Sequence, residues 1–184
     1  MLILTGPPGA GKTTVGGLIA AESPQSACIQ SDWFWTTIVN GHIPPWEHAA
    51  DAQNRAVVRA AAAAGVRLAN AGYSVVLDGI LGPWHFKPLR HELEQCTVPV
   101  NYTVLRPDGG TCLDRARARV LESPKHRDAL TDEGPIRHML DQFHDLGPLE
   151  RFVVDNSAIS PGATMELIRK RIDSGDLQFP TEDM

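Results

Sequence analysis

The stretch GPPGAGKT, residues 6–13, decides the fold of this chain. It fits the pattern G-x-x-x-x-G-K-[ST], in which glycines at fixed positions precede a lysine and a hydroxyl residue. The apolar run Leu2–Thr5 stands directly before it and predicts a buried strand that ends at a turn. Apolar residues recur at helical spacing after it, so a helix is predicted to begin near Lys12. The stretch is therefore predicted to be a loop between a strand and a helix.

A loop of this kind is suited to holding phosphate groups. Glycines allow the backbone to turn successive N–H groups inward, and the helix N-terminus adds its positive dipole end. Lys12 is expected to reach the β- and γ-phosphates of a nucleotide, and the Thr13 hydroxyl is expected to ligate Mg²⁺. The alternative is a glycine-rich turn that binds nothing. The residues predicted to bind the cofactor here are Gly6, Gly9, Ala10, Gly11, Lys12, Thr13 and Thr14.

Strands and helices are predicted to alternate on both sides of this loop. Strands are predicted over residues 2–5, 27–30, 73–77, 98–105 and 152–154, and helices from about residue 12 and over 47–71, 83–95, 111–121, 135–144 and 161–174. This alternation is typical of an α/β fold in which helices cover both faces of a parallel sheet. We predict one domain over residues 1–184, with a lid at about 115–135 and a loose tail over 175–184.

The composition excludes several classes of protein. The 184 residues are 42% apolar and 21% charged, which is enough to form a core and excludes general disorder. The formal net charge of −5 argues against nucleic acid or an anionic membrane as a partner. The three cysteines are widely spaced and predict neither a disulfide framework nor a zinc site. The chain start lacks the pattern of a secretion signal, so we expect a cytoplasmic protein.

Two carboxylates follow predicted strands, at the edge of a parallel sheet where ligands bind. Asp78 ends the apolar run of the third strand and is expected to hold a water molecule on Mg²⁺. Asp32 follows the second strand and is expected to orient an acceptor hydroxyl and take its proton. The alternatives are an Asp78 that caps the next turn and a Ser31 or Asp32 that caps a helix. The two aspartates could also exchange roles.

Aromatic residues cluster just after Asp32. Trp33, Trp35 and Trp46 lie within fourteen residues, in a stretch broken by prolines. Such a stretch beside a catalytic base could form the wall of an acceptor pocket. Packing in the core is the alternative for any single tryptophan.

A basic helix follows the fourth predicted strand. Arg115 and Arg119 lie one helical turn apart and precede a polar segment over residues 123–133. Arginines on a mobile lid neutralise the charge that develops on a transferred phosphoryl group. A solvated helix face is the alternative.

With these residues in place, the chain resembles small P-loop kinases of the nucleotide-kinase-like group, including chloramphenicol phosphotransferase-like and bacterial AAA-type ATP-binding proteins. The resemblance rests on residues 6–13, 31–32, 75–79, 105–107, 112–115, 119 and 153–157. It implies a three-layer α/β/α fold with a five-stranded parallel sheet in the order 2-3-1-4-5, a P-loop NTPase fold with a small helical lid. It implies ATP and Mg²⁺ as cosubstrates.

The same resemblance implies roles for particular residues. Asp32 matches the catalytic base, Lys12 and Thr13 the phosphate and metal contacts, and Arg115 and Arg119 the lid arginines. The stretch after the fifth strand, with Asn156, would approach the adenine. The acceptor would be bound by residues between 32 and 55, for which we name Asp32, Trp33, Trp35 and Arg55. This region differs from that of the antibiotic kinases, so the identity of the acceptor stays open.

Three functions remain compatible with the sequence. The first is an ATP-dependent kinase that acts on a hydroxyl of a small molecule. The second is a kinase whose acceptor is a nucleoside, a nucleotide, a sugar acid or a nucleic-acid 5′ end. The third is a nucleotide-binding switch protein without acceptor chemistry, which needs the phosphate loop alone. The sequence does not indicate the oligomeric state.

Overall fold

The computed structural model describes residues 1–122 and 133–180. Within them, a five-stranded parallel sheet has the order β2-β3-β1-β4-β5, as predicted. The strands are β1 (Leu2–Thr5), β2 (Ser26–Gln30), β3 (Ser74–Asp78), β4 (Asn101–Leu105) and β5 (Val153–Val154). The helices of the described part are α1 (Lys12–Ala21), α2 (Asp32–Thr36), α3 (Asp51–Asn70), α4 (Phe86–Leu93), α5 (Gly109–Glu122), α6 (Glu133–Gln142) and α7 (Pro161–Asp173).

The central strand β1 places the phosphate loop in the middle of the sheet edge. All four of its residues are buried, and it pairs with β3 on one side and β4 on the other. Leu4 is level with Asp78 of β3, and Gln30 of β2 is level with Asp78 as well. The loop after β1, the end of β3 and the end of β2 therefore lie side by side.

Helices cover both faces of the sheet, which confirms the three-layer architecture. Gly16 of α1 faces the side chains of Val76 and Cys28, whereas Gly65 of α3 faces those of Val75 and Ile29. Neighbouring residues of a strand point to opposite faces, so α1 and α3 lie on opposite sides. Helix α7 packs beside α1, and α4 packs beside α3. No helix of the described residues is long and apolar enough to pass through a membrane.

Several boundaries differ from the predicted ones. The helix predicted over residues 47–71 begins at Asp51, after a 3-10 turn at His48–Ala50. The strand predicted from residue 98 begins at Asn101, because Pro99 has no N–H to donate to a neighbouring strand. Helix α2 was not predicted as an element, since five residues are too few to show a period. Residues 123–132, most of the predicted polar lid segment, lie outside the described part of the chain.

The prediction of a loose tail is wrong for residues 177–179. The Tyr102 amide donates to Leu177 O at 2.7 Å, and the Phe179 amide donates to Val100 O at 2.8 Å. The Phe179 ring lies 5.1 Å from that of Phe86, between ring centroids. Strand β5 pairs with just two residues of β4, so the first half of β4 leaves an open edge, which the tail covers in antiparallel fashion. Residues 181–184 lie outside the described part.

Replacement of the tail aromatic is expected to destabilise the whole domain. Phe179→Ala should lower the free energy of unfolding by about 3 kcal/mol, because it removes a buried ring and leaves a cavity. Phe179 is 8% exposed. Urea unfolding followed by circular dichroism measures the change. Val39→Ala, at a side chain that is 88% exposed, is the control and should change stability by less than about 0.5 kcal/mol. Equal stabilities for the two variants would contradict the docking of the tail.

Candidate functional site

The phosphate loop is wedged between the end of β4 and the start of α5. A Cβ atom at Gly6 would overlap the main-chain oxygen of Leu105, and one at Gly9 would overlap that of Cys112. Gly9 has φ +78°, in the left-handed region that residues with a side chain rarely adopt. Glycine is thus required at these two positions by close packing of backbone on backbone, in addition to the conformation of the loop.

The Lys12 ammonium lies over the loop itself. Its Nζ donates to Gly6 O and to Pro7 O, both at 3.0 Å. These carbonyls hold the ammonium at the start of α1, where the helix dipole also favours an anion. A bound phosphate oxygen would be a stronger acceptor for Nζ than a carbonyl oxygen, because it is charged.

Thr13 and Asp78 form a pair of oxygen groups next to the lysine. The Thr13 hydroxyl donates to Asp78 Oδ2 at 2.7 Å, and Asp78 is 3% exposed. The main-chain oxygen of Asp78 accepts a 2.7 Å hydrogen bond from the Ser31 amide. Asp78 therefore links the helix after the loop to the end of β2, which is where the sequence placed Asp32.

Asp32 begins α2 and is exposed. The buried Ser31 before it packs so closely on the end of β3 that a Cβ at Gly79 would overlap Ser31 Oγ. Ser31 occupies the N-cap position but makes no side-chain capping bond. Within the described residues, the Asp32 carboxylate makes no hydrogen bond or ion pair, to the loop or elsewhere. The structure brings Asp32 to the same sheet edge as the loop and leaves its carboxylate available to a ligand.

A cavity of about 240 Å³ lies between the start of α1, helix α5 and the segment after β5. Arg115 borders it, and its Nη2 donates to Asn156 O at 3.2 Å. Thr14 and Asn156, two of the residues predicted to bind the cofactor, line this cavity, whereas the Arg119 side chain lies outside the described part of the chain. Sequence reasoning missed three lining residues, Val15, Ile159 and Pro161, whose apolar side chains carry no chemical signal.

The predicted acceptor residues divide into two kinds. Trp33 is 61% exposed, next to Asp32. The Trp35 indole N–H donates to Asn54 Oδ1 at 3.0 Å, and Asn54 in turn donates to Pro45 O at 2.7 Å. Trp35 thus fastens α2 and the segment around Pro45 to α3, a bracing role that the sequence did not reveal.

The predicted acceptor residue Arg55 pairs within its own helix. Its Nη1 lies 3.7 Å from Asp51 Oδ2, and both side chains are largely exposed. A strand-end arginine elsewhere, Arg106, binds Glu150 through two bonds of 2.6 and 2.7 Å and donates to Phe143 O as well. The Arg106 guanidinium holds the pKa of Glu150 below its usual range. Arg106 therefore stabilises the connection before β5 and does not face the loop.

Comparison with known proteins supports the fold. The family model described as an AAA domain matches residues 1–146. No curated protein matches the sequence. Among the solved structures that match nearly the whole chain are three kinases. An unliganded sugar kinase from Janibacter sp. HTCC2649 is 16% identical, with a TM-score of 0.64, over 97% of this chain and 98% of that one.

The two other structures are kinases with bound ligands. Shikimate kinase from Acinetobacter baumannii, in complex with shikimate, is 22% identical, with a TM-score of 0.62, over 96% of this chain and 94% of that one. Mycobacterium tuberculosis APS kinase, in complex with AMPPNP and APS, is 15% identical, with a TM-score of 0.66, over 94% and 96%. At these identities the likeness shows the fold, which is that of small P-loop kinases.

Proposed function

This chain is a member of the AAA domain family, and we propose that it is an ATP-dependent kinase that transfers the γ-phosphate to a hydroxyl of a small molecule. The observation that carries the proposal is the position of Asp78. Its carboxylate accepts from Thr13 of the loop, and its main-chain oxygen accepts from Ser31, the residue before Asp32. Asp78 therefore connects the phosphate loop to the segment that carries Asp32, whose carboxylate is suited to proton transfer.

Magnesium fits the oxygen groups at this site. A hydroxyl and a buried carboxylate are the hard ligands that Mg²⁺ prefers, and the ion keeps several waters and phosphate oxygens as further ligands. The described residues contain no cluster of three or more potential metal-ligating side chains, and a magnesium nucleotide needs none. Thr13 and Asp78 would hold the ion, which would neutralise charge on the β- and γ-phosphates.

The transfer follows from the order of groups along the sheet edge. The acceptor hydroxyl attacks the γ-phosphorus, its O–H bond breaks, and Asp32 takes the proton. The bond between the γ-phosphorus and the bridging oxygen breaks, and ADP leaves with that oxygen. Lys12 moves from the loop carbonyls to the phosphate oxygens and offsets their growing charge. Arg115 and Arg119, both in the sequence of α5 and the predicted lid, would add positive charge near the transferred phosphate.

The described surface near Asp32 favours an acceptor without negative charge. Residues 31–55 carry three carboxylates, Asp32, Glu47 and Asp51, against one guanidinium, Arg55, which pairs with Asp51. Burial lowers the pKa of the neighbouring His85 to about 4, although Asp51 raises it, so this imidazole is neutral at pH 7. We therefore propose a neutral or amine-bearing hydroxyl compound, with Trp33 as a flat apolar contact.

Matched acceptors test this preference. Glucose and glucosamine should be phosphorylated with kcat/KM at least about tenfold above that of glucuronate or glucose 6-phosphate, because like charges repel at the site. Asp51→Asn, which frees Arg55 from its ion pair, should reduce this difference in kcat/KM between the two kinds of acceptor. Asp173→Asn removes an exposed carboxylate at the end of α7 and should leave it unchanged. Preference for the anionic compounds would contradict the proposal of a neutral or amine-bearing acceptor. It would favour a nucleotide or a sugar acid as the acceptor.

The proposed activity itself is tested with a wider panel. Purified protein with ATP and Mg²⁺ is incubated with sugars, amino alcohols, nucleosides and antibiotics, and mass spectrometry detects the phosphorylated product. We expect ADP release that depends on one class of acceptor. ATP binding with no acceptor-dependent turnover, together with a stable protein partner, would favour the switch protein instead.

A further inference from the structure

Asn156 ties the segment between β5 and α7 to the phosphate loop. Its Nδ2 donates to Ala10 O at 2.9 Å, and the residue is 3% exposed. Asn156 stands 146 positions from Ala10 in the chain and lies beyond residues 1–146, which the family model matches. The contact is therefore a tertiary one, made by a part of the chain outside the matched region.

The direction of this carboxamide is set by the loop. Asn156 Oδ1 is buried and has no hydrogen-bond partner among the described residues. A carboxamide turned the other way would set Oδ1 against the oxygen of Ala10, with two acceptors facing each other. The NH₂ group must therefore face Ala10. Although Asn156 borders the cavity beside the loop, the NH₂ group of its carboxamide is hydrogen-bonded to the loop backbone.

The bond has a consequence for the neighbouring amide. In a trans peptide, the C=O of one residue and the N–H of the next point in opposite directions. Because the Ala10 oxygen is drawn toward Asn156, the Gly11 N–H points away from it. Gly11 has φ +87° and precedes α1 as its N-cap residue. Glycine has no side chain to resist rotation of this peptide, so an outside contact is needed to hold it.

We propose that Asn156 is a positioning residue for nucleotide binding, which holds the Ala10–Gly11 peptide so that the Gly11 N–H is presented to phosphate. The inference rests on the nucleotide binding of the proposed function and does not require phosphate transfer. Arg115 donates to the main-chain oxygen of Asn156, so replacement of the side chain leaves that second contact in place. The role of the carboxamide can therefore be measured by itself.

Asn156→Ala is the first test, with AMPPNP and Mg²⁺ as the probe in isothermal titration calorimetry. We expect Kd to rise at least about tenfold, the equivalent of one lost hydrogen bond to an oriented group. Ser160→Ala is the matched control. It removes the N-cap bond of α7 in the same segment, where the hydroxyl accepts from the Ala163 amide, and does not contact the loop. The Tm of Ser160→Ala should fall at least as much as that of Asn156→Ala, while its Kd for AMPPNP stays at the wild-type value.

Asn156→Asp separates positioning from general packing through pH. At about pH 8 the carboxylate of this variant would face the Ala10 oxygen and repel it. The Asp variant should therefore bind AMPPNP more weakly than the Ala variant does. Burial beside an acceptor raises the pKa of such a carboxyl, while the guanidinium of Arg115, which donates to the main-chain oxygen of Asn156, acts in the opposite direction. At about pH 5.5 the protonated group donates to Ala10 O, so the Asp variant should bind more tightly than the Ala variant at the same pH.

These experiments distinguish failure of the positioning role from failure of the kinase proposal. A Kd for Asn156→Ala equal to that of the wild type, or an equal rise in Ser160→Ala, overturns the positioning role. An Asp variant that never binds better than the Ala variant at acidic pH also overturns it. Wild-type protein that binds AMPPNP with the expected dependence on Asn156, but phosphorylates no acceptor, contradicts the kinase proposal and supports this one.

Discussion

Asp32→Asn lowers kcat for phosphoryl transfer by at least about a thousandfold, while the Kd for ATP stays within about threefold of the wild type. The asparagine keeps the size of the side chain but cannot take a proton from the acceptor hydroxyl. The Asp32 carboxylate is exposed and makes no hydrogen bond or ion pair in the described part of the chain, so its replacement disturbs no structural contact. Loss of one charge at the start of a five-residue helix costs at most a few tenths of a kcal/mol at an exposed site.

The measurement needs the acceptor found by the panel and a separate binding assay. Single-turnover transfer of labelled phosphate reports the chemical step, and calorimetry reports ATP binding. Asp173→Asn is the matched control, since it removes an equal charge from an exposed carboxylate at the end of α7 and should leave kcat within about threefold. Normal transfer by Asp32→Asn would exclude Asp32 as the base, and Asp78 would become the candidate for that role.

Lys12→Ala also lowers transfer by at least about a thousandfold, and it weakens nucleotide binding as well. Its Nζ is held by Gly6 O and Pro7 O at the mouth of the loop, in position to pass to the β- and γ-phosphates. The ammonium acts on both the bound triphosphate and the transition state, so Kd and kcat change together. This pattern distinguishes Lys12 from Asp32, whose replacement affects kcat alone.

Lys170→Ala provides the comparison for the lysine. It removes an exposed ammonium from the last turn of α7, so it changes net charge equally without touching the loop. Calorimetry with AMPPNP and transfer assays on both variants measure the difference, and circular dichroism confirms that each is folded. Equal nucleotide affinity in the two variants would mean that Lys12 does not contact phosphate, and the loop would then lose its proposed role.

The position of the candidate site followed from short-range patterns. Residues 6–13 form a local structure in which glycine, lysine and threonine occur at fixed spacing, and the apolar run before them forms β1 as predicted. Asp78 ends β3 and Asp32 follows β2, as the strand patterns indicated. Parallel strands bring their carboxyl ends to one edge, so the sequence predicted the neighbourhood of these groups without any knowledge of their contacts.

Other features depend on contacts between distant parts of the chain. Residues 177–179 have no periodic pattern of their own, and they are ordered because β5 leaves half of β4 unpaired. Trp35 was predicted as part of an acceptor pocket from its sequence neighbours alone, and only the structure shows its bond to Asn54, which joins α2 to α3.

The sequence by itself determined the α/β class, the phosphate loop and the strand ends that carry the two aspartates, because each depends on residues close together in the chain. The tertiary structure decided which polar groups are hydrogen-bonded within the protein and which are exposed. Arg106 binds Glu150 and Asn156 faces the loop, whereas the Asp32 carboxylate is exposed. The reason is physical: a side chain's hydrogen-bond partners are set by long-range packing, and residues as far apart as Ala10 and Asn156 meet through the fold alone.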